Sequence, residues 1–351
     1  MQHLSAFILV LSLLILSSAS CSEDNVDELK ELELSHNEMT LEVGEKSIIQ
    51  VTQAPSVSAP VIWSSNDETV IDVFHGNVTA LASGTANVTA TMGEYSATCV
   101  VTVPERSYEM VWEENFDGNS LNPDNWTYEV NGSGGGNQEL QYYTDRTDNL
   151  RVEDGLLTIE ARKEEYSGKQ YTSARIVSKN KKDFTYGKVE VRLKVPKGRG
   201  TWPAFWMLGY GGWPQAGEID IMEHVGYDPN TFHCALHTAN KNGMNGQNMH
   251  GSQSLDEPAA DNWHIITMEW VEKEFMGYDR IHIYVDGVKT KTFGETAQLQ
   301  DSGDWPFNDP FYFIINLAIG GTWGGAHGVD DSMFENPVLF QVDYIKVYQL
   351  Q

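Results

Sequence analysis

Residues 216–226 read AGEIDIMEHVG, and the spacing of their carboxylates decides how this chain folds. On a β-strand successive side chains point to opposite faces. Glu218 and Asp220 therefore share one face, while Ile219 and Ile221 share the other. Glu223 breaks the pattern. It lies an odd number of positions from Glu218, so a regular strand would drive its carboxylate into the apolar side, at a cost of several kcal/mol. One extra residue, a β-bulge near Ile221 and Met222, returns Glu223 to the polar face. The stretch predicts a bulged strand carrying three carboxylates on one side.

The same alternation spreads outward. LLTIEAR (156–162), GKVEVRLKV (187–195), HIITMEWV (264–271), FYFIINLAIG (311–320) and FQVDYIKVYQ (340–349) read as strands, and RIHIYVDG (280–287) followed by VKTKTF reads as a hairpin turning at Asp286-Gly287. No helical periodicity is long enough to alternate with them, which argues against a parallel α/β sheet. The chain is expected to be all-β, with a jelly-roll sandwich over 108–351 preceded by a small Ig-like β-sandwich over 26–104. With 351 residues there is room for both. A formal net charge of −27 repels nucleic acid and anionic membrane surfaces, so a neutral substrate is the natural partner, although acidity that only maintains solubility fits equally well.

The N-terminal run AFILVLSLLILSSAS is short for a membrane span and ends in small residues just before Cys21. Residues 1–21 resemble a bacterial lipoprotein signal peptide, with Cys21 as the lipidated first residue. The n-region MQHLS lacks Lys and Arg, and plain secretion with cleavage near Ala19 is the alternative. Export is expected on either reading, to the cell surface or periplasm if anchored. Cys21, Cys99 and Cys234 show no zinc spacing, no disulfide is expected, and Cys99 reads as a small buried hydrophobe. The segment VIWSSNDETVIDV…GNVTALASGTANVTAT is similar to bacterial Ig-like domains of the second group, over roughly Leu32 to Val103. It has no convergent polar cluster and reads as a spacer, with Pro104 in the linker.

Three readings compete for the carboxylate cluster. A solvated acidic strand edge explains the alternation but not the odd step, and stacks like charges. A metal site is open, since Glu, Asp and His are all ligands, though His224 should face away from Glu223. Catalysis by two carboxyls about 5 Å apart would give retaining glycoside hydrolysis, with Asp220 between them raising the cost of ionising all three. The preceding GTWPAFWMLGYGGWP places Trp202 and Trp206 on one strand face with Ala204 between, and Phe205 and Met207 on the other, so the tryptophans are either core fillers or platforms for pyranose rings.

GEIDIMEHVG resembles the active-site signature of glycoside hydrolase family 16, in its bulged Glu-x-Asp-x-x-Glu form. WPAFWMLG, GNQELQYYT, TSARIVSK, FTYGKVEVRLKVP, INLAIGGTWGG and VDYIKVY are similar to the same family and occur in its order. Within it the likeness is greatest to bacterial laminarinases, endo-acting β-1,3-glucanases. The resemblance implies a retaining mechanism with Glu218 as nucleophile, Glu223 as acid/base and Asp220 as the assisting carboxylate. It implies sugar contacts from Trp202, Trp206, Trp213, Asn137, Glu139, Arg175, His237 and Trp323. It also implies one structural calcium held by Glu114, the backbone of Gly155 and Asp343, with no cofactor needed for the chemistry. The departure at Gln215-Ala216 bears on fine specificity. The expected function is hydrolysis of laminarin-like β-1,3-glucan by a monomer; mixed-linkage β-1,3-1,4-glucan or another family 16 polysaccharide is the rival substrate, and a glycan-binding jelly roll the non-enzymatic alternative.

Overall fold

A computed structural model describes residues 31–260, 262–275 and 277–351. The expected signal segment and Cys21 lie outside the described residues. The first domain carries a four-stranded sheet, ordered Glu38–Thr40, Tyr95–Val103, Gly84–Met92, Ile62–Ser65, and a three-stranded sheet of Lys46–Ile48, Asn77–Ala80 and Ile71–Phe74. GTANVTATM alternates as its sequence demands, burying Ala86, Val88 and Ala90. With Ile71, Val78, Cys99 and Val101 these form a separate apolar core.

The second domain is two packed antiparallel-rich sheets. One has ten strands, in the main order Gln141–Tyr143, Lys169–Ser173, Leu156–Tyr166, Val338–Leu350, Gly187–Lys194, His264–Phe275, Tyr278–Val285, Val288–Gly294. The hairpin at its edge turns at Asp286 and Gly287, both with positive φ (49° and 78°), between the paired residues Val285 and Val288. That is the geometry an Asp-Gly pair favours. The other sheet has eight strands: β1 (Thr127–Tyr128), β2 (Arg175–Val177), β3 (Asp183–Phe184), β4 (Thr201–Gly209), β5 (Glu218–His224), β6 (Thr231–His237), β7 (Met249–Ser254) and β8 (Phe311–Ile319). Their order is β1-β2-β8-β4-β5-β6-β7, with β3 also pairing to β8.

The core lies between the two sheets. Phe205, Met207, Ile219, Ile221, Phe232, Phe313 and Ile315 face Leu157, Val191, Ile266, Trp270, Ile283, Val342 and Ile345 within one cluster. At roughly 1.5–3 kcal/mol for each large apolar side chain buried, this layer fixes which face of β5 turns inward. β8 is buried at every position, as its continuous apolar run requires of a central strand. Its outward Tyr312 and Ile314 make a small second cluster with Val177, against which Trp206 and Leu208 pack.

Candidate active site

The site lies on the outer face of β4, β5, β6 and β8. The ladders locate the bulge on β5. Towards β4, Trp206 stands opposite Asp220 and Phe205 opposite Met222, leaving Ile221 as the extra residue. Towards β6, Asp220 faces Ala235 and Glu223 faces His233, so Ile221 and Met222 together oppose Cys234. Both bulge residues are buried in the core, and Glu218, Asp220 and Glu223 reach the same outer face. His224 points the other way, fully buried, with Nδ1 bonded to the Thr231 carbonyl; burial lowers its pKa to about 4.

The environment is set against ionising all three carboxyls together. Burial, then the charge of Asp220, pushes Glu218 well above the usual carboxylate range. Burial raises Asp220 to about 8. Burial and then Asp220 raise Glu223 to about 8, opposed by the indole N–H of Trp202. That N–H donates to Glu223 Oε1 at 3.0 Å. His237 Nε2 is 3.2 Å from Asp220 Oδ2 and 3.7 Å from Glu218 Oε1. Burial raises all three carboxyls, so it is their neighbours that distinguish the two glutamates: Glu223 accepts the Trp202 N–H, while Glu218 lies beside the His237 ring.

The aromatic residues are distributed around this pair. Trp202 meets Trp323 edge-on at 5.4 Å, and Trp323 in turn meets His233 at 5.0 Å. Trp213 is 40% exposed and lies 6.2 Å from the His237 ring. Trp206 donates its N–H to Asn316 Oδ1 at 2.7 Å, and the Arg175 guanidinium lies 4.8 Å over its ring. Arg175 is also paired with Glu129 at 2.6 Å. Asn137 is bonded only weakly to Glu139, at 3.5 Å. Glu139, expected as a sugar contact, has its carboxylate engaged within the protein. It is buried, and Gln141 Nε2 (2.7 Å) and Tyr143 OH (3.0 Å) donate to its carboxylate. It supports the site from beneath, because Asn316 Nδ2 donates onward to that tyrosine hydroxyl at 3.2 Å.

Asn316, Gln141, Tyr143 and His233 are site residues that sequence reasoning did not single out. Asn316 had a signal: it is the one amide in the apolar run FYFIINLAI, and a buried amide needs partners. His233 had none, because its place opposite Glu223 depends on the bulge register.

The calcium expectation is only partly met by the donors present. Glu114 pairs with Ile345 while Leu157 pairs with Val342, so the end of strand Tyr108–Glu114 and the turn at Gly155 both approach Asp343. The carboxylate of Glu114, however, accepts from Phe116 N (3.2 Å), Asn125 Nδ2 (2.7 Å) and Trp126 Nε1 (3.0 Å). Asp343 is paired with Arg192. N–H donors occupy the oxygens a cation would need, so the Glu114 carboxylate does not fit as a calcium ligand.

Residues 137–346 match Glycosyl hydrolases family 16, and residues 28–103 match the bacterial Ig-like domain (group 2). The beta-glucanase of Rhodothermus marinus is 44% identical over 253 residues, which is 69% of this chain and 85% of that protein. Glucan endo-1,3-beta-glucosidase A1 of Niallia circulans is 35% identical over 269 residues, 69% of this chain but only 38% of its own length. The X-ray structure of the laminarinase from Rhodothermus marinus is similar with a TM-score of 0.64 and 43% identity, covering 70% of this chain and 99% of that one.

Proposed function

The chain belongs to glycosyl hydrolase family 16, and from that premise we propose that it is a retaining endo-β-1,3-glucanase acting on laminarin-like glucan. The observation that carries the reading is the bulge, which turns Glu223 to the same face as Glu218 and Asp220; burial there, and then Asp220, raise Glu223 to about 8. The ionised Glu218 carboxylate attacks the anomeric carbon as Glu223 gives its proton to the departing glycosidic oxygen. A covalent glycosyl–Glu218 ester forms and the aglycon half leaves. Glu223, now ionised, takes a proton from water; the hydroxide attacks the same carbon, and Glu218 departs as carboxylate. Asp220, close to both glutamates in charge, holds a proton in the resting site and lets Glu218 ionise without three adjacent negative charges. Trp202 orients the Glu223 carboxyl through its N–H.

The substrate assignment is supported by the relatives named above and by the tryptophans set around the carboxylates. Product analysis on laminarin, lichenan, agarose and carrageenan tests it. Release of oligosaccharides from laminarin at a rate well above lichenan is expected; cleavage confined to agarose or carrageenan would overturn the assignment. Export with a lipid on Cys21 is part of the same proposal, since a polymer substrate must be met outside the cell. Equal recovery of wild type and Cys21→Ala in the membrane fraction would remove the anchor.

A further inference from the structure

One hydrogen bond next to the carboxylates has no role in the mechanism above. The backbone N–H of Gly243 donates to Nδ1 of His237 at 3.0 Å. An imidazole nitrogen that accepts from an N–H carries no proton of its own. The single proton of the neutral ring therefore sits on Nε2, which is 3.2 Å from Asp220 Oδ2 and 3.7 Å from Glu218 Oε1. Turning the ring over would set a carbon against the Gly243 N–H, and a second ring proton would set two N–H groups against each other.

The segment that delivers this N–H is tied down by its own amides. Asn242 is 3% exposed; its Nδ2 donates to the carbonyls of Thr238 and Ala239, both at 3.1 Å, and its Oδ1 accepts from Met244 N at 3.1 Å. Asn245 Oδ1 accepts from the backbone of Asn242 (3.2 Å) and Gln247 (3.1 Å). Asn240 N donates to the buried Asp304 at 3.0 Å, which anchors the loop to a separate part of the chain. Gly243 leaves room for the ring: a Cβ there would lie 3.3 Å from His237 Cε1.

We propose that loop 238–247, latched by Asn242, is a positioning device that fixes His237 as its Nε2–H tautomer and so keeps a neutral hydrogen-bond donor on the Glu218–Asp220 pair. The inference rests on the reading of Glu218 as nucleophile. It also decides between two uses of the cluster. Glu218, Asp220 and His237 offer ligand atoms within 4.8 Å of one another, as a metal site would. A neutral histidine that binds metal through Nε2 carries its proton on Nδ1, and here Nδ1 already faces a donor. The trio is built to share protons rather than a cation.

Long-range ¹H–¹⁵N correlation on the full chain with labelled histidine tests this, the His237 signals being assigned by their loss in His237→Gln. The expected result is Nδ1 in the unprotonated range and Nε2 in the protonated range. In Asn242→Ala the two signals should move towards an averaged tautomer mixture, with kcat reduced about tenfold and KM within about twofold, the signature of an interaction used mainly in the transition state. A wild-type Nδ1–H tautomer or imidazolium overturns the proposal, as does an Asn242→Ala spectrum identical to wild type. If Asn242→Ala does not fold, Asn245→Ala reads the same shift with the acceptor for Asn242 N–H removed. A protein that cleaves no β-1,3-glucan but shows the Nε2–H tautomer would sink the proposed function alone; a glucanase with the opposite tautomer would sink only this inference.

Discussion

The two domains are both β-sandwiches, but they differ in what they bury. Among the described residues the first domain's core is apolar throughout, and every buried polar or charged side chain lies in the second, from Glu114 onward. Burying a polar group without partners costs free energy that an apolar one does not. In the glycoside hydrolase domain, Asp220, Glu139, Gln141, Asn242 and Asn316 are all buried. The sharpest way to break this contrast is to remove the chemistry while leaving the fold. Glu218→Ser should lower kcat at least ~10³-fold, with an unchanged circular dichroism spectrum. Azide then separates the roles. With an activated aryl glycoside, Glu223→Ala should yield a β-glycosyl azide, because the covalent ester still forms; Glu218→Ala should yield the α-azide by direct attack. The reverse pair of anomers would exchange the two assignments.

The buried amide beneath the site gives the next largest effect. Asn316→Leu leaves the Trp206 N–H without its acceptor and the Tyr143 hydroxyl without its donor. The Tyr143 hydroxyl still donates to Glu139 at 3.0 Å, so the Trp206 N–H is the group left unpaired, at a cost of about 1–3 kcal/mol, and chemical denaturation should show a loss of that order. The Trp206 ring should lose its orientation, and kcat/KM should fall about tenfold for a comparable loss in the transition state. Stability lost without any change in kcat/KM would show that this network serves the fold alone.

A smaller effect separates the domains by pH. Asp220 and Glu223 have folded pKa values of about 8, above the ordinary carboxylate range. Between that range and 8 the native state binds more protons than the unfolded chain, so stability falls as pH rises through the window. Asp220→Asn removes one of these protons from the balance. The drop in melting temperature between about pH 5 and about pH 9 should be smaller in Asp220→Asn than in wild type. The first domain holds no carboxyl raised in this way among the described residues, and burial raises its Cys99 thiol from a range above that of the carboxyls, so its own transition should not respond between about pH 5 and about pH 8. Wild-type activity should also decline above about pH 8, as Glu223 loses the proton it must donate.

The sequence disclosed the site more fully on β5 than around it. Alternation, and one step that violated it, were enough to place the bulge, because a one-residue slip moves a charge across a strand and the cost of the wrong face is large. The same logic placed the Asp286-Gly287 turn and the core faces of Gly187–Lys194. What alternation could not reveal was contact between distant elements. Glu139 alternates with Gln141 and Tyr143 in the sequence, and both donate to its buried carboxylate. Glu114 carries the right oxygen chemistry for calcium, but Asn125 and Trp126 fold back upon it from a following loop. Gly243 had no visible role in NKNGMNGQ, since its function is a backbone N–H and depends on where the loop ends. Side-chain type announces what a residue can do; only the packing around it determines which partner it meets.

The smallest effect on activity is expected from the most direct probe of the comparison between domains. Ile71 is fully buried in the first core, and Ile71→Ala should cost that domain about 2–5 kcal/mol through lost burial and the cavity left behind. If the two cores are independent, calorimetry should show one transition move down and the other stay, and kcat on soluble laminarin should change by less than about twofold. The two meet at Glu274: Arg106, just after the linker proline, pairs with it at 2.9 Å, and Gly44 of the first domain lies against its backbone. Burial acts to raise Glu274, but His282 and Arg106 outweigh it and hold the carboxyl down at about 2. A partly buried pair of this kind transmits little unless one partner is removed. A fall in activity that tracks the loss of the first transition would therefore mean that the hydrolase depends on its neighbour's fold, and Arg106→Ala would then have to reproduce it. With activity unchanged in both variants, the first domain is a spacer whose apolar core answers only to its own stability.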